Sequence, residues 1–302
     1  MNRIPAALKP TRRNSRRVAL ATLAALGLLL AFAGAAFAGA IAPESGGSPN
    51  ADQIASLYKL VLAVAVVVFL GVEGALFYSL FKFRARKGAV AAQIRGNTRL
   101  EIAWTLGAAV ILVVLAVITF SKLGAIRNPP NSGPNGAQLA DGVLVASGPS
   151  KRLPPNGRSL NIQVNGQQYI WRFTYPDGDT NDLNNAFSYQ EMVVPVDTTV
   201  TLEIRAQDVA HSWWIPKLGG KFDAVPGYTN YTWFKIPGRL AGKVFTGQCA
   251  EMCGRNHANM TAQVRAVTPQ AYEQFISRRK ADIKAADAAA QIQRKRLESS
   301  GP

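Results

Sequence analysis

Most of the sulfur and imidazole in this 302-residue chain lies in one short stretch, residues 247–260. The second of the two histidines in the protein, His211, lies about forty residues upstream of it. Thiolate, imidazole and thioether groups are the ligands that copper prefers. The pattern therefore predicts a copper site made from one loop and one distant histidine. The candidate ligands within the stretch are Cys249, Cys253, His257 and Met260.

The second cysteine separates this set from an ordinary blue copper site, which uses one cysteine, two histidines and a weak axial methionine. Two thiolates can bridge two metal ions, which leaves one histidine for each ion. Three simpler interpretations stay open. The cysteines could form a disulfide, bind structural zinc with the histidines, or be small buried apolar residues. The disulfide and zinc interpretations both leave Met260 without a role.

The formal net charge of +16 is unevenly distributed along the chain. Two clusters, within residues 3–17 and 82–99, supply twelve positive charges and contain no acid. Such clusters beside apolar runs are typical topology signals, because basic loops stay on the cytoplasmic side. A basic surface for nucleic acid is therefore not expected.

Residues 1–38 have the features of a cleaved signal peptide. A basic start is followed by a long apolar run, and Ala36-Phe37-Ala38 forms the small-x-small pattern of a cleavage site. The alternative is an uncleaved membrane helix, because the apolar run is long for a signal peptide. A short outer segment, residues 39–54, follows, and residues 45–50 within it are expected to be an exposed linker.

Two apolar runs, residues 55–81 and 100–123, each exceed the roughly 20 residues that a helix needs to cross a bilayer. They predict a transmembrane hairpin whose basic loop, residues 82–99, is cytoplasmic, with the rest of the chain on the outer side of a bacterial cell membrane. Glu73 interrupts the first run and suggests contact with another membrane subunit. Glu101 begins the second run, where a carboxylate is favoured near a helix N-terminus.

The remainder predicts an outer β domain. Residues 124–150, rich in Pro, Gly and Asn, are expected to be a linker, and residues 151–268 a domain of antiparallel strands in a sandwich or barrel. Residues 269–302 predict a charged helix that ends in disorder. The strand-like runs include residues 160–164, 169–173, 192–195, 199–205, 231–236 and 262–267.

Three segments resemble motifs of subunit II of haem–copper cytochrome c oxidases: residues 208–216, 223–227 and 247–260. With the hairpin, the resemblance covers residues 55–268. It implies a membrane-anchored all-β protein, with a two-helix hairpin followed by a cupredoxin-like Greek-key domain. It also implies that this domain carries CuA, a centre of two copper ions.

The resemblance further implies a role for particular residues. Glu251 would bind copper through its backbone carbonyl, and its carboxylate would help to hold magnesium at subunit I, which suits a cation that prefers oxygen. Glu101, within residues 100–105, resembles the glutamate at the mouth of a proton-uptake path. The side-chain copper ligands that the resemblance implies are His211, Cys249, Cys253, His257 and Met260.

The function implied is electron relay. Cytochrome c would donate electrons at the copper centre, and haem in subunit I would receive them and reduce oxygen to water with proton pumping. The implied partners are subunit I, other oxidase subunits, cytochrome c and membrane lipid.

The chain departs from the family pattern at several positions. Tyr169 stands where the family usually has the tryptophan through which electrons enter, with Trp171 two residues further on. Tyr228 stands where arginine is common, and Gly107-Ala108 replaces a step that usually contains proline. Acids that could dock a basic cytochrome are few, which predicts weak electrostatic steering. The docking candidates are Asp177, Asp179, Asp182 and Asp223.

Three other functions are alternatives to this one. A quinol oxidase subunit II shares the fold but lacks copper, and the intact ligand set argues against it. The copper domain of a nitrous oxide reductase would not normally carry the hairpin. A membrane-anchored copper carrier would need neither Glu101 nor the motif at Asp223.

Overall fold

A computed structural model describes residues 42–84, 88, 90, 93–137, 153–177 and 184–299. The chain divides into two units, Met1–Pro43 and Glu44–Pro302. Only the last two residues of the first unit are described, so the predicted signal peptide and its cleavage site lie outside the described residues. All the elements below belong to the second unit.

Two long apolar helices come first: α1, Pro49–Lys82, and α2, Thr98–Arg127. Both are long and apolar enough to cross a membrane, with a mean hydropathy of 2.6 in their most apolar part. At about 1.5 Å per residue they are roughly 50 and 45 Å long, so both extend beyond the roughly 30 Å hydrocarbon core. The helices begin at Pro49 and Thr98, before the apolar runs that start at residues 55 and 100.

The start of α2 is capped by its own sequence. The Asn97 side chain accepts a hydrogen bond from the Leu100 amide, and the Glu101 carboxylate accepts one of 3.2 Å from the Asn97 amide. Reciprocal bonds of this kind satisfy amides that the first helical turn leaves free. The carboxylate of Glu101 thus has a local structural role at the helix N-terminus.

In the described part of the β domain, ten strands form three sheets. The sheet orders are β3-β2-β1-β5-β8, β4-β10-β9 and β6-β7. The strands are β1 Leu160–Gln167, β2 Ile170–Tyr175, β3 Ala186–Tyr189, β4 Glu191–Pro195, β5 Thr199–Ala206, β6 His211–Trp213, β7 Phe222–Ala224, β8 Asn230–Lys235, β9 Val244–Gln248 and β10 Thr261–Val267.

The six predicted strand runs correspond to β1, β2, β4, β5, β8 and β10, and the two larger sheets enclose a core around Trp171, Phe173 and Phe234. The expectation of a purely antiparallel domain is wrong at two places. β1 pairs with β5, and β4 pairs with β10, in parallel. The parallel pairs arise because the chain crosses to another part of the sandwich between the partners, and this crossing leaves no local sequence signal.

The prediction that residues 45–50 are an exposed linker is wrong for its second half, where Gly47, Ser48 and Asn50 are buried. Strand β8 is the edge of the five-stranded sheet. The side-chain amide of Asn50 donates a hydrogen bond of 2.8 Å to the backbone carbonyl of Trp233. The Ser48 hydroxyl accepts one of 3.1 Å from the backbone amide of Lys235. Polar side chains thus take the place of a further strand at this edge.

The segment after α2 also packs on the domain, although its composition predicted a linker. The Thr199 hydroxyl donates a hydrogen bond of 2.6 Å to the Pro130 carbonyl, and the Ala137 amide donates one of 2.8 Å to the Thr198 hydroxyl. Residues 138–152 lie outside the described part of the chain.

The expected C-terminal helix is present as α3, Pro269–Ser299. Tyr272 is buried at its start, and Phe275 packs edge-on against Tyr175 at a ring distance of 5.5 Å. The helix continues to Ser299, so the expected disordered end is not found among the described residues.

Candidate metal centre

The candidate ligands are brought together by two elements of the β domain. Strands β9 and β10 pair with Thr261 opposite Gln248, so the residues between them form a closed loop. The Cys249 amide donates 2.8 Å to the Met260 carbonyl and closes the base of this loop. The Ala250 amide donates 2.8 Å to the Ser212 carbonyl, which fixes the loop against the strand that begins with His211.

The two cysteine sulfurs lie 3.9 Å apart and are not bonded to each other. A disulfide would bring them to about 2.05 Å. Each sulfur has its own histidine. The Sγ atom of Cys249 is 3.8 Å from Nδ1 of His211, and that of Cys253 is 3.4 Å from Nδ1 of His257.

Two weaker candidate ligands lie beside the cysteines. The Met260 sulfur is 3.8 Å from the Cys253 sulfur, and the Glu251 carbonyl oxygen is 3.2 Å from the Cys249 sulfur. His211 and Met260 are 0% exposed, and the two cysteines are 2% and 3% exposed. These four side chains are therefore shielded from water, whereas His257 is half-buried at the edge of the site.

This donor set fits copper. Metal–thiolate distances are about 2.3 Å, so two sulfurs 3.9 Å apart are close enough together to bind the same metal ion. The ligand atoms of His211, Cys249 and Cys253 all lie within 4.8 Å of one another. A tetrahedral zinc site would use only the cysteines and histidines, and would leave the converging thioether and carbonyl without a metal.

Burial in this site, and after it the neighbouring Cys249, raise the pKa of the Cys253 thiol to about 11. The thiolate is the form that binds metal, so binding must release the proton of this thiol. Copper loading should therefore weaken as the pH falls.

Asp208 is a functional candidate that the sequence analysis missed. Its Oδ1 atom lies 2.9 Å from Nε2 of His211, the ring nitrogen that faces away from Cys249. Burial alone would raise the pKa of this carboxyl, but hydrogen bonds from Gln168, His211 and Val209 outweigh it and lower the pKa. Carboxylates commonly orient metal-binding histidines in this way. The signal was available, since Asp208 begins the same motif three residues before His211.

The two aromatic candidates lie on different sides of the site. Tyr169 is half-buried in the turn between β1 and β2, with its hydroxyl so close to Gly254 that a Cβ there would lie 2.7 Å from it. Trp171 is 0% exposed, and its ring centre is 5.9 Å from that of His211. Tyr169 therefore lies toward the surface next to Cys253, whereas Trp171 lies behind the site.

The two docking candidates that the structure describes lie in different parts of the domain. Asp223 is exposed on β7, opposite Ser212, and so lies close to the ligand His211. Asp177 follows the far end of β2, about 25 Å from Tyr169 at roughly 3.3 Å per residue, and forms an ion pair with Lys280. Asp179 and Asp182 lie outside the described residues.

The three glutamates that the sequence singled out lie in different surroundings. The side chain of Glu251 is exposed at the ligand loop. Glu101 is exposed in the first turn of α2, and Glu73 lies within the apolar part of α1.

Comparison with known proteins identifies both parts of the chain. The family described as "Cytochrome C oxidase subunit II, periplasmic domain" matches residues 160–267. The one described as "Cytochrome C oxidase subunit II, transmembrane domain" matches residues 38–121.

Curated relatives agree with these matches. Cytochrome c oxidase subunit 2 of Alkalihalophilus pseudofirmus is 34% identical over 243 residues, which cover 78% of this chain and 61% of that protein. The chain thus spans less than two thirds of that relative. The protein of the same name from Synechocystis is 32% identical over 255 residues, covering 76% of this chain and 73% of that protein.

A crystal structure of the periplasmic domain of subunit II of cytochrome oxidase from Bradyrhizobium japonicum is 30% identical, with a TM-score of 0.37. The matched region covers 41% of this chain and 95% of the chain in that crystal structure. The family matches confirm the predicted architecture, a membrane hairpin followed by a cupredoxin-like β-sandwich. With its two apolar helices, its β domain and its paired cysteines and histidines, the chain belongs to the cytochrome c oxidase subunit II family.

Proposed function

We propose that this chain is the electron-accepting subunit of a respiratory haem–copper terminal oxidase. It takes electrons from cytochrome c at a binuclear CuA centre and passes them to haem in subunit I, where oxygen is reduced to water and protons are pumped. One observation carries the proposal. Two unbonded, buried cysteine sulfurs lie 3.9 Å apart, and each has its own histidine.

The proposed copper ligands are the side chains of His211, Cys249, Cys253, His257 and Met260, with the backbone carbonyl of Glu251. When bound, the copper pair supplies reversible one-electron exchange with the charge shared between two ions. The chain's own contribution is rigidity and dryness. The backbone bonds that close the loop onto β6 and β10 resist movement of the ligands, and burial keeps water from reorganising around them.

Tyr169 is the proposed residue through which electrons enter, because it lies toward the surface and its hydroxyl touches the loop at Gly254. Tyrosine combines an apolar ring with a polar tip, which suits a docking surface. Asp223 is the docking acid whose position fits this role, since it is exposed beside the strand that carries His211. Asp177 follows the far end of β2, about 25 Å from Tyr169 at roughly 3.3 Å per residue, so it would act only at the edge of the same contact.

Two further roles belong to the boundary with subunit I and the membrane. The exposed Glu251 carboxylate can supply an oxygen ligand for a magnesium ion shared with subunit I. Glu101 is proposed at the mouth of the proton-uptake path. The basic segment between α1 and α2 favours the cytoplasmic side of a bacterial inner membrane, which places the copper domain on the periplasmic side, with lipid around the helices.

The metal content of the full chain tests this proposal. The chain, purified in detergent after expression with copper, should contain two copper ions and no stoichiometric zinc by elemental analysis. A content of one zinc ion per chain, or of no metal after incubation with copper, would contradict the proposed site.

A further inference from the structure

Gln168 is the residue that links the two ligand-bearing segments of the site. It lies in the short turn between β1 and β2, directly before Tyr169. Its backbone amide donates 2.7 Å to Oδ2 of Asp208, and its side-chain amide donates 2.7 Å to the backbone carbonyl of Cys253. One residue therefore holds both segments at once.

The first of these bonds acts on His211 through Asp208. One carboxylate oxygen of Asp208 accepts from the Gln168 backbone, and the other lies 2.9 Å from Nε2 of His211. A carboxylate with both oxygens engaged has little freedom to rotate. The direction in which the histidine presents Nδ1 to the cysteines is thereby fixed.

The second bond acts on the ligand loop itself. The Gln168 side-chain nitrogen lies so close to Gly254 that a Cβ at that position would be 2.9 Å from it. Gly254 has a φ of 126°, a conformation that glycine adopts readily and other residues do not. The close approach of the amide to the backbone at Cys253 thus depends on a residue without a side chain.

Tyr169 is placed by the same contacts, because it follows Gln168 in the chain and its hydroxyl lies against the same glycine. A shift of Gln168 would move the proposed point of electron acceptance relative to the cysteines. It would also release the loop from the strand that precedes the turn.

We propose that Gln168 is a positioning residue of the copper site: its side-chain amide holds the Cys253 loop in register with the Asp208–His211 segment and holds Tyr169 against that loop. This inference rests on the proposed copper function. The backbone bond to Asp208 survives any ordinary substitution, so a change of the side chain tests the link to Cys253 alone.

The test uses the full chain in detergent with three variants. Gln168→Leu removes the amide at similar size, and Gln168→Glu replaces the donor with a carboxylate that repels the carbonyl. Gln167→Leu, at the end of β1, is the matched control. Copper retention is measured by competition with a chelator, the reduction potential by titration, and the stability of the copper-free chain by thermal unfolding.

We expect both Gln168 variants to retain copper about 10-fold less well, the lower end of the usual effect of residues that orient ligands, and to shift the potential. Because Gln168 is exposed, the unfolding temperature of the copper-free chain should stay the same. The control should match the wild type in all three measurements.

Copper retention equal to that of the wild type would overturn the inference. A fall in copper-free stability that accounts for the loss, or the same loss in Gln167→Leu, would also overturn it. A wild-type chain that binds no copper would instead contradict the proposed function, so the two failures are distinguishable.

Discussion

The ligand-bearing end of the β domain and the membrane hairpin treat their polar groups in opposite ways. Around the metal site, the carboxylate of Asp208 and the loop amides are engaged by other groups of the same chain. The hairpin instead turns large apolar side chains outward, such as Phe69 at 59% and Leu112 at 67% exposure. The first region is completed within the chain, whereas the second is suited to surroundings that the chain does not supply.

The two helices are joined to each other and to the β domain where α1 begins and α2 ends. Lys122 donates to the side chains of Gln53 and Ser56, and Trp233 donates 3.1 Å to the Ile126 carbonyl. Glu73 lies further along α1 and is partly buried, whereas the residues on either side of it are exposed. An ionisable group within an apolar helix is expected to face a protein partner.

The largest expected effect breaks the self-contained region. Cys249→Ser or Cys253→Ser should abolish binuclear copper binding, because each proposed copper ion then loses one of its two thiolate ligands. Copper content and absorption of the purified chain measure this. Met252→Leu is the control, since Met252 lies between the cysteines but is 74% exposed. Two copper ions in either serine variant would contradict the assignment.

A smaller effect should follow from loosening a ligand without removing it. Asp208→Ala should weaken copper retention about 10–100-fold, because His211 loses the carboxylate that orients it. Chelator competition measures the change. Asp223→Asn, which removes another exposed acid beside the same strand, should leave retention unchanged. An equal loss in both variants would show a general effect of charge.

Tyr169 tests the surface of the same region. Tyr169→Ala should spare copper content and absorption but slow reduction by cytochrome c roughly tenfold, the scale on which an aromatic contact residue acts at an interface. Stopped-flow reduction measures the rate. Tyr169→Trp should restore it. Unchanged kinetics in Tyr169→Ala would refute the role given to Tyr169.

A change in the hairpin should affect association with other subunits and leave copper binding intact. Glu73→Leu should leave copper binding by the isolated chain intact but weaken its co-purification with the other membrane subunits, by about 0.6–1.7 kcal/mol if a membrane hydrogen bond is lost. Glu73→Gln, which can still hydrogen-bond, should retain most of the association. Equal recovery of all three forms would show that Glu73 is not at a subunit contact.

The two regions also differ in how far their sequence could predict them. The metal ligands were identifiable because cysteine and histidine are rare in this chain and clustered. The apolar runs predicted the hairpin because length and hydropathy alone define such helices. Strands β6 and β7 have three residues each, too few for an alternating pattern to be recognised.

Contacts between distant segments could not be predicted in the same way. Asn50 is 183 residues from Trp233, whose carbonyl it binds, and its local sequence resembles a loop. Asp177 stays a predicted docking residue, and its ion pair with Lys280 depends on how the C-terminal helix packs on the domain, which the local sequence does not show. Gln168 carries no local signal of its role, because its importance depends on where Cys253 and Asp208 lie.

In the proposed centre, the two cysteines hold a pair of copper ions that share one electron. Electron paramagnetic resonance of the copper-loaded full chain in its partly oxidised form distinguishes this centre from a single copper ion. We expect the many-line hyperfine pattern of an electron delocalised over two equivalent copper nuclei. The pattern of a single copper nucleus, as in an ordinary blue copper site, would rule out the binuclear centre.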